Sequence, residues 1–237
     1  MKKLLLAATL GVAFAAPAFA DEPAGPHSFT GNVSIGSDYV FRGISQTNEK
    51  PTLQGGFDYA HSGGFYAGVW GSNISWLSDL GGGISSSVEL DVYGGYKGAI
   101  AEDLGYDIGL LRYEYPGSYP SGFTSANTTE IYGALSWKML TLKYSRSMTN
   151  LFGFDDSKGS GYLELNGSFD LGDGWGLAAH VGKQKVRHNS AADYTDYKLG
   201  ITKAMGPGTL ALAYTDTDIS GSPIADGRLI LSYSASF

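Results

Sequence analysis

Apolar and polar residues alternate one by one along most of this chain. The stretch from Gly31 to Thr47 reads GNVSIGSDYVFRGISQT. Val33, Ile35, Tyr39 and Phe41 fall on odd positions, and Asn32, Ser34, Asp38 and Arg42 on even ones. The same period returns at Leu53, Phe57 and Tyr59, at Phe65, Ala67 and Val69, and at Val88, Leu90, Val92 and Tyr96. It continues through Tyr106 and Ile108, Ile131, Leu135 and Trp137, Leu140, Leu142 and Tyr144, and Leu163, Leu165 and Phe169. The last four runs are Trp175 to Val181, Tyr197 to Ile201, Leu210 to Tyr214, and Leu229 to Phe237. Period two is the period of a strand, so the pattern predicts about twelve strands and no sustained helix.

Alternation does not say which solvent meets the apolar face, because a soluble sandwich shows it too. Three further features favour lipid. The predicted connections sort by length. Short gaps at 61–64, 98–103, 138–139, 171–174 and 204–208 alternate with mostly longer ones at 43–51, 73–85, 116–127, 148–159, 186–192 and 216–226. Short turns at one end and long loops at the other belong to an outer-membrane barrel, and an even strand count would leave both termini on the periplasmic side. Aromatics on the apolar parity fall near strand ends: Phe29, Phe57, Phe65, Trp137 and Trp175 toward the short turns, and Tyr39, Phe41, Tyr197 and Tyr214 toward the long loops. Two aromatic girdles around an aliphatic band mark the two interfaces of a membrane. The chain also closes on an alternating strand whose last residue is Phe237, the kind of signal barrel-assembly machinery reads. A strand of about 11 residues at ~3.4 Å each, tilted ~40°, spans roughly 28 Å, close to the apolar height of such a barrel. The predicted fold is therefore all-β: a single antiparallel, up-and-down transmembrane β-barrel of about twelve strands over residues 21–237.

Composition narrows the setting. The chain of 237 residues has 35 Gly, 16 Tyr and no Cys, and a formal charge of −7. The acidic balance without a basic run excludes a nucleic-acid partner. Lys2 and Lys3, the apolar run Leu4 to Ala16 and the triplet Ala18-Phe19-Ala20 read as a signal peptide over residues 1–20. Cleavage after Ala20 would take the formal charge from −7 to −9. No later stretch offers the ~20 apolar residues of a membrane helix, so membrane entry would be by strands.

Parity then assigns a lumen. Asp38, Asp58, Glu89, Asp91, Asp107, Glu130 and Glu164 point inward with Arg42, Lys97, Lys143 and Lys198, while Tyr39 and Phe41 face lipid. Leu90 is expected at mid-bilayer, so that Arg would block assembly at Leu90 but be tolerated at Asp91. Glu89, Asp91 and Glu164 are expected at middle depth. In the fifth strand Tyr106 and Ile108 set one phase and Leu111, Tyr113 and Tyr115 the other, which predicts a β-bulge at Leu110–Leu111 that keeps Arg112 and Glu114 out of lipid.

The segments GSDYVFRGISQT, PTLQGGFDY and GFYAGVWGSN, between Gly36 and Asn73, resemble the TorF-type porin family of proteobacteria, and the resemblance extends over the mature chain. It implies a bacterial outer-membrane barrel of uncharacterised substrate and supplies no catalytic residues.

Chemistry-bearing motifs are sparse. An enzyme needs a positioned base and nucleophile. His188, Ser190, Asp193 and Asp196 in RHNSAADYTD form the one hydrolase-like grouping, with a solvated loop as its simpler reading. DTDISG at Asp216–Gly221 begins like a calcium loop but has Gly227 where the final Glu would stand. No metal or cofactor is expected. The expected function is passive passage of small hydrophilic solutes with a weak cation preference, through a lumen lined by Asp38, Arg42, Glu89, Asp91, Glu164, Lys143 and Lys198. Outer-membrane lipid, lipopolysaccharide and the assembly machinery are its expected partners. A non-conducting structural or adhesin-like barrel, with the same charges paired into a plug, is the alternative, and a lipid-modifying enzyme is a more distant one.

Overall fold

The computed structural model describes residues 25–237; the predicted signal peptide lies outside them. Among the described residues, twelve strands close into an antiparallel barrel: β1 (His27–Gly36), β4 (Thr52–His61), β5 (Phe65–Asn73), β6 (Val88–Ala101), β7 (Leu104–Glu114), β8 (Thr128–Trp137), β9 (Leu140–Ser147), β10 (Gly161–Gly172), β11 (Trp175–Lys185), β12 (Tyr194–Met205), β13 (Gly208–Thr217) and β14 (Arg228–Ser236). Each barrel strand pairs with its neighbours in the chain, and β1 pairs with β14 to close the ring. The closure runs past the strand end: Gly31 N–H donates to the Phe237 carbonyl at 2.7 Å and Phe237 N–H donates back at 2.9 Å. Gly31 has no Cβ, so the Phe237 ring lies over it.

The connections sort as expected. Residues 62–64, 102–103, 138–139, 173–174 and 206–207 turn at one end, and 37–51, 74–87, 115–127, 148–160, 186–193 and 218–227 form long loops at the other. The ladders are continuous except for register shifts at Ala99/Ala101 and Asp170/Gly172, both beside short turns.

The outward face carries Val33, Leu53, Val69, Val92, Ile108, Leu135, Leu165, Leu199 and Leu231, all exposed. An apolar belt of this extent is stable in hydrocarbon rather than in water. Phe29, Phe57, Phe65, Trp137 and Trp175 lie outward in the half nearest the short turns; Tyr197 and Tyr214 lie outward toward the long loops.

Three expectations fail here. No bulge interrupts β7: Gly109, Leu110, Leu111 and Arg112 pair in unbroken register with Gly95, Gly94, Tyr93 and Val92 on β6. The phase change is instead a change of content at constant parity. Leu111 and Tyr113 are large inward residues, and Arg112 and Glu114 take the outward face at the long-loop rim. There Arg112 Nε pairs with Glu114 at 2.7 Å and its Nη1 donates to Thr129, while Asn127 donates to Glu114. The charges satisfy each other at the rim, so no bulge is needed to turn them away.

The second failure concerns Tyr39 and Phe41. The first strand ends at Gly36, and the chain then makes a small hairpin, β2 (Val40–Phe41) and β3 (Ile44–Ser45). Arg42 and Gly43 form its two-residue turn with φ of 46° and 80°. Both central residues at positive φ give the turn that matches the twist of a hairpin. The hairpin folds into the barrel mouth, and Tyr39 is buried there rather than facing lipid.

Leu90 is outward, but as the third residue of β6 it lies toward the long-loop end rather than at mid-span, and Asp91 is buried beneath the hairpin. A better test of parity uses β12. Leu199→Arg places a charge outward near mid-strand, where it costs ~2–4 kcal/mol, whereas Thr202→Arg places one inward. Heat-modifiable mobility should be lost or strongly reduced for Leu199→Arg and retained for Thr202→Arg; equal folding of the two would contradict the assigned parity.

Candidate functional site: the barrel lumen

The inward face is polar and rich in tyrosine, and its side chains link from strand to strand. Tyr93 donates to Asp58 at 2.5 Å, and Tyr66 donates to Asp107 at 2.6 Å and shares a hydrogen bond with Tyr132. Lys97 lies 5.4 Å from the Tyr66 ring centre and Lys143 4.7 Å from that of Tyr132. Lys143 approaches Glu164 to 3.7 Å, and Glu164 accepts from Asn166 at 2.9 Å. His180 continues the chain: Nδ1 meets Asn166 Oδ1 at 2.7 Å, and Nε2 meets Asp196 Oδ1 at 2.8 Å and Tyr162 Oη at 3.0 Å. Charged groups in such a network satisfy one another, which lets them sit inside the wall.

Glycines make room for the rings. Tyr66 pairs across the strands with Gly95, Tyr93 with Gly68, and Tyr132 with Gly109. A Cβ on Gly109 would lie 2.5 Å from Tyr132 Oη and 2.8 Å from the Gly94 carbonyl, so each ring can lie flat along the wall only because its partner has no side chain.

The hairpin sits across the mouth and touches the wall from β5 round to β14. Tyr39 donates to Glu89 of β6 at 3.2 Å and packs edge-on against Trp70 of β5. Phe41 packs against Tyr113 of β7 and Phe152 of the 148–160 loop. Gly43 lies against Asp196 of β12 and Thr217 of β13. Arg42 reaches the far wall: Nη2 pairs with Glu130 of β8 at 2.8 Å and Nη1 donates to Gln184 of β11 at 2.9 Å. Its guanidinium carbon lies 4.1 Å from the Tyr162 ring centre. At the neck, Asp38 accepts from Ser45 at 2.7 Å and Thr47 at 2.8 Å and lies 3.4 Å from Arg228 of β14. The Gln46 carbonyl takes the N–H groups of Ser75 and Trp76, which ties the hairpin to the next long loop.

The expected lumen residues thus fall into different places. Arg42 crosses the mouth and Asp38 braces the hairpin. Glu89 and Asp91 lie at the long-loop end of β6, buried beneath the hairpin, rather than at middle depth. Among the described residues, Asp91 Oδ1 is a buried oxygen without a hydrogen-bond partner. Glu164 and Lys143 pair with each other on β10 and β9, and Lys198 stands opposite His180 in the β11–β12 register. Tyr93 and Tyr132 share the polar parity of Glu89, Asp91 and Glu130 along the sequence, but the register that sets each ring opposite a glycine comes only with the paired strands. His180 alternates with Ala179 and Val181 and so has inward parity, but parity alone does not show the Asn166, Asp196 and Tyr162 bonds around it.

The grouping around His188 does not converge. His188 pairs with Asp156 at 2.9 Å, Asp193 accepts from Lys185 and from Val186 N–H, and Asp196 lies in the lumen network. The DTDISG carboxylates serve local structure: Asp216 accepts from Thr217 N–H at 2.8 Å and Asp218 from Thr195 N–H at 2.7 Å. The Thr195 bond holds the Asp218 carboxyl below the usual carboxylate range.

A family model described as a bacterial protein of unknown function, Gcw_chp, matches residues 20–230. No curated protein matches the chain. Among solved structures, a KdgM porin superposes with a TM-score of 0.60 at 9% identity, over 88% of this chain and 99% of that one. A KdgM porin in complex with disordered oligogalacturonate gives 0.58 at 9% identity, over 89% and 99%. A NanC porin gives 0.47 at 15% identity, over 87% and 97%.

Filling the space at Gly109 should displace Tyr132 and strain the adjoining ladder, because overpacking costs ~1–3 kcal/mol. Gly109→Ala is expected to lower the apparent unfolding temperature measurably. Gly133→Ala, whose new methyl group meets nothing within 4 Å, should leave it unchanged.

Proposed function

This chain belongs to the Gcw_chp family of bacterial proteins, and from that premise we propose that it is a porin-like channel of the bacterial outer membrane, passing small hydrophilic solutes with a weak cation preference. One observation carries the reading. Inside a closed barrel with an apolar outward face, the inward face is built from charged and hydrogen-bonded side chains. A barrel of twelve strands lies between those of about eight, which side chains fill, and those of sixteen or more, which leave an aqueous channel. The likeness to KdgM porins supports the fold, and the TorF-type resemblance agrees with a porin-like setting. In this reading, residues 1–20 direct export, the strand ending at Phe237 engages the assembly machinery, and lipid and lipopolysaccharide surround the wall.

Charge favours cations or neutral solutes over polyanions. Asp38, Asp58, Glu89, Asp91, Asp107, Glu130, Glu164 and Asp196 face inward against Arg42, Lys97, Lys143, Lys198 and Arg228, and Glu89 and Asp91 place carboxylates directly under the mouth. Oligogalacturonate, the polyanion in one KdgM complex, would meet that field unfavourably. A second reading, a non-conducting barrel, is favoured by the hairpin that lies across the mouth.

Planar-bilayer recording separates the two. Discrete conductance supports the channel; silence of a correctly folded barrel supports the closed reading. Under a salt gradient the wild type should show a modestly cation-selective reversal potential that fades at high salt, since screening acts over ~10 Å at 0.1 M. The double variant Glu89→Gln with Asp91→Asn should move the reversal potential toward zero. Anion selectivity, or no movement, would remove these carboxylates from the path.

A further inference from the structure

The groups that hold Arg42 form a receptor for a guanidinium. Glu130 takes Nη2 on both carboxylate oxygens, at 2.8 and 3.1 Å. Gln184 Oε1 takes Nη1 at 2.9 Å, and the Tyr162 ring, 4.1 Å from the guanidinium carbon, supplies a stacking face. A carboxylate, an amide oxygen and an aromatic plane set round one planar cation match the fork of a guanidinium and not the point charge of an ammonium.

Receptor and occupant belong to different parts of the fold. Glu130, Tyr162 and Gln184 stand on β8, β10 and β11, whereas Arg42 is carried by a hairpin with two cross-strand pairs. The wall groups also have supports of their own. Tyr113 donates to Glu130 at 3.2 Å, Gln184 Nε2 donates to the Gly161 carbonyl at 3.0 Å, and Tyr162 donates to Asp196 at 2.8 Å. None of these supporting bonds involves Arg42, so the wall groups are held in place independently of it. Without Arg42, Glu130, with a side chain only 3% exposed, would be a buried carboxylate without its countercharge. A buried charge deprived of its partner strongly favours any cation that can replace it.

We infer that this pocket is a binding site for small guanidinium-bearing solutes, which compete with Arg42 and so release the hairpin from the far wall. The inference names a solute class for the lumen and rests on the channel reading for its use in transport, but the binding itself does not require conduction.

The test uses the refolded mature barrel with Arg42→Ala, titrated calorimetrically in detergent with methylguanidinium chloride, and with methylammonium chloride at the same ionic strength. Arg42→Ala should bind methylguanidinium saturably, and at least about tenfold more tightly than methylammonium, the margin that ~1.4 kcal/mol of fork-specific contacts gives. The wild type, with its pocket filled, should bind it at least about tenfold more weakly. Adding Glu130→Gln to Arg42→Ala should abolish the preference; this change also removes the uncompensated charge, and Gln184→Ala in the same background serves as a second wall variant. Each protein is first checked for heat-modifiable mobility. Equal affinity for the two cations, or a preference that survives both wall changes, would overturn the site. In bilayers, methylguanidinium should raise the open fraction of the wild type and methylammonium should not. Selective binding without any current from either protein would leave the site standing and remove the channel; current without selective binding would do the reverse.

Discussion

The fold depends on one constraint: in hydrocarbon every backbone N–H and C=O must find a partner within the protein, and a closed ring of antiparallel strands provides this for spanning strands. The β1–β14 pairing, extended by the reciprocal bonds between Gly31 and Phe237, removes the last open edge. Once the ring is closed, strand geometry sends each side chain either to lipid or to the lumen. A single register runs unbroken through Gly109–Arg112, so even Arg112 and Glu114 keep the outward parity and are satisfied by pairing at the rim.

That rigid wall makes the lumen a problem of packing as well as charge. Tyrosine is bulky, yet several tyrosines point inward, each laid along the wall over a glycine of the neighbouring strand. The Tyr93 hydroxyl then meets Asp58 and that of Tyr66 meets Asp107, as Tyr162 meets Asp196 farther round the wall; a carboxylate without such partners is expensive to hold in a partly desolvated interior. The arrangement keeps carboxylates fixed on the wall and leaves the mouth to be shaped by a loop.

The hairpin at residues 40–45 does that shaping. Its turn places Arg42 at positive φ, uncommon for a residue with a side chain, and the conformation aims the guanidinium across the barrel at Glu130 and Gln184. The same loop buries Glu89 and Asp91 and meets the loops around Trp76 and Phe152. The contacts that cross the mouth, the burial of the carboxylates beneath it and the groups around Arg42 therefore converge on one short segment rather than on the barrel as a whole.

Strand number, loop sorting, outward aromatics and the inward set from Asp58 to Lys198 were all legible in the amino-acid order, because period two and turn length are local properties. The hairpin had a local trace as well: Val40 and Phe41 are adjacent apolar residues that break the alternation, and Arg42-Gly43 precedes Ile44 as a two-residue turn would. Reading only the odd positions carried Tyr39 and Phe41 to the lipid face, and the apparent phase change at Leu110–Leu111 suggested a bulge where tyrosines were filling the interior. The destination of the hairpin was not legible at any local scale. Arg42 lies 88 residues from Glu130 and 142 from Gln184, and only closure of the barrel brings those three groups together. Parity follows from the geometry of one strand, whereas contacts across a lumen follow from the circumference and register of the whole ring, which the tertiary structure alone decides.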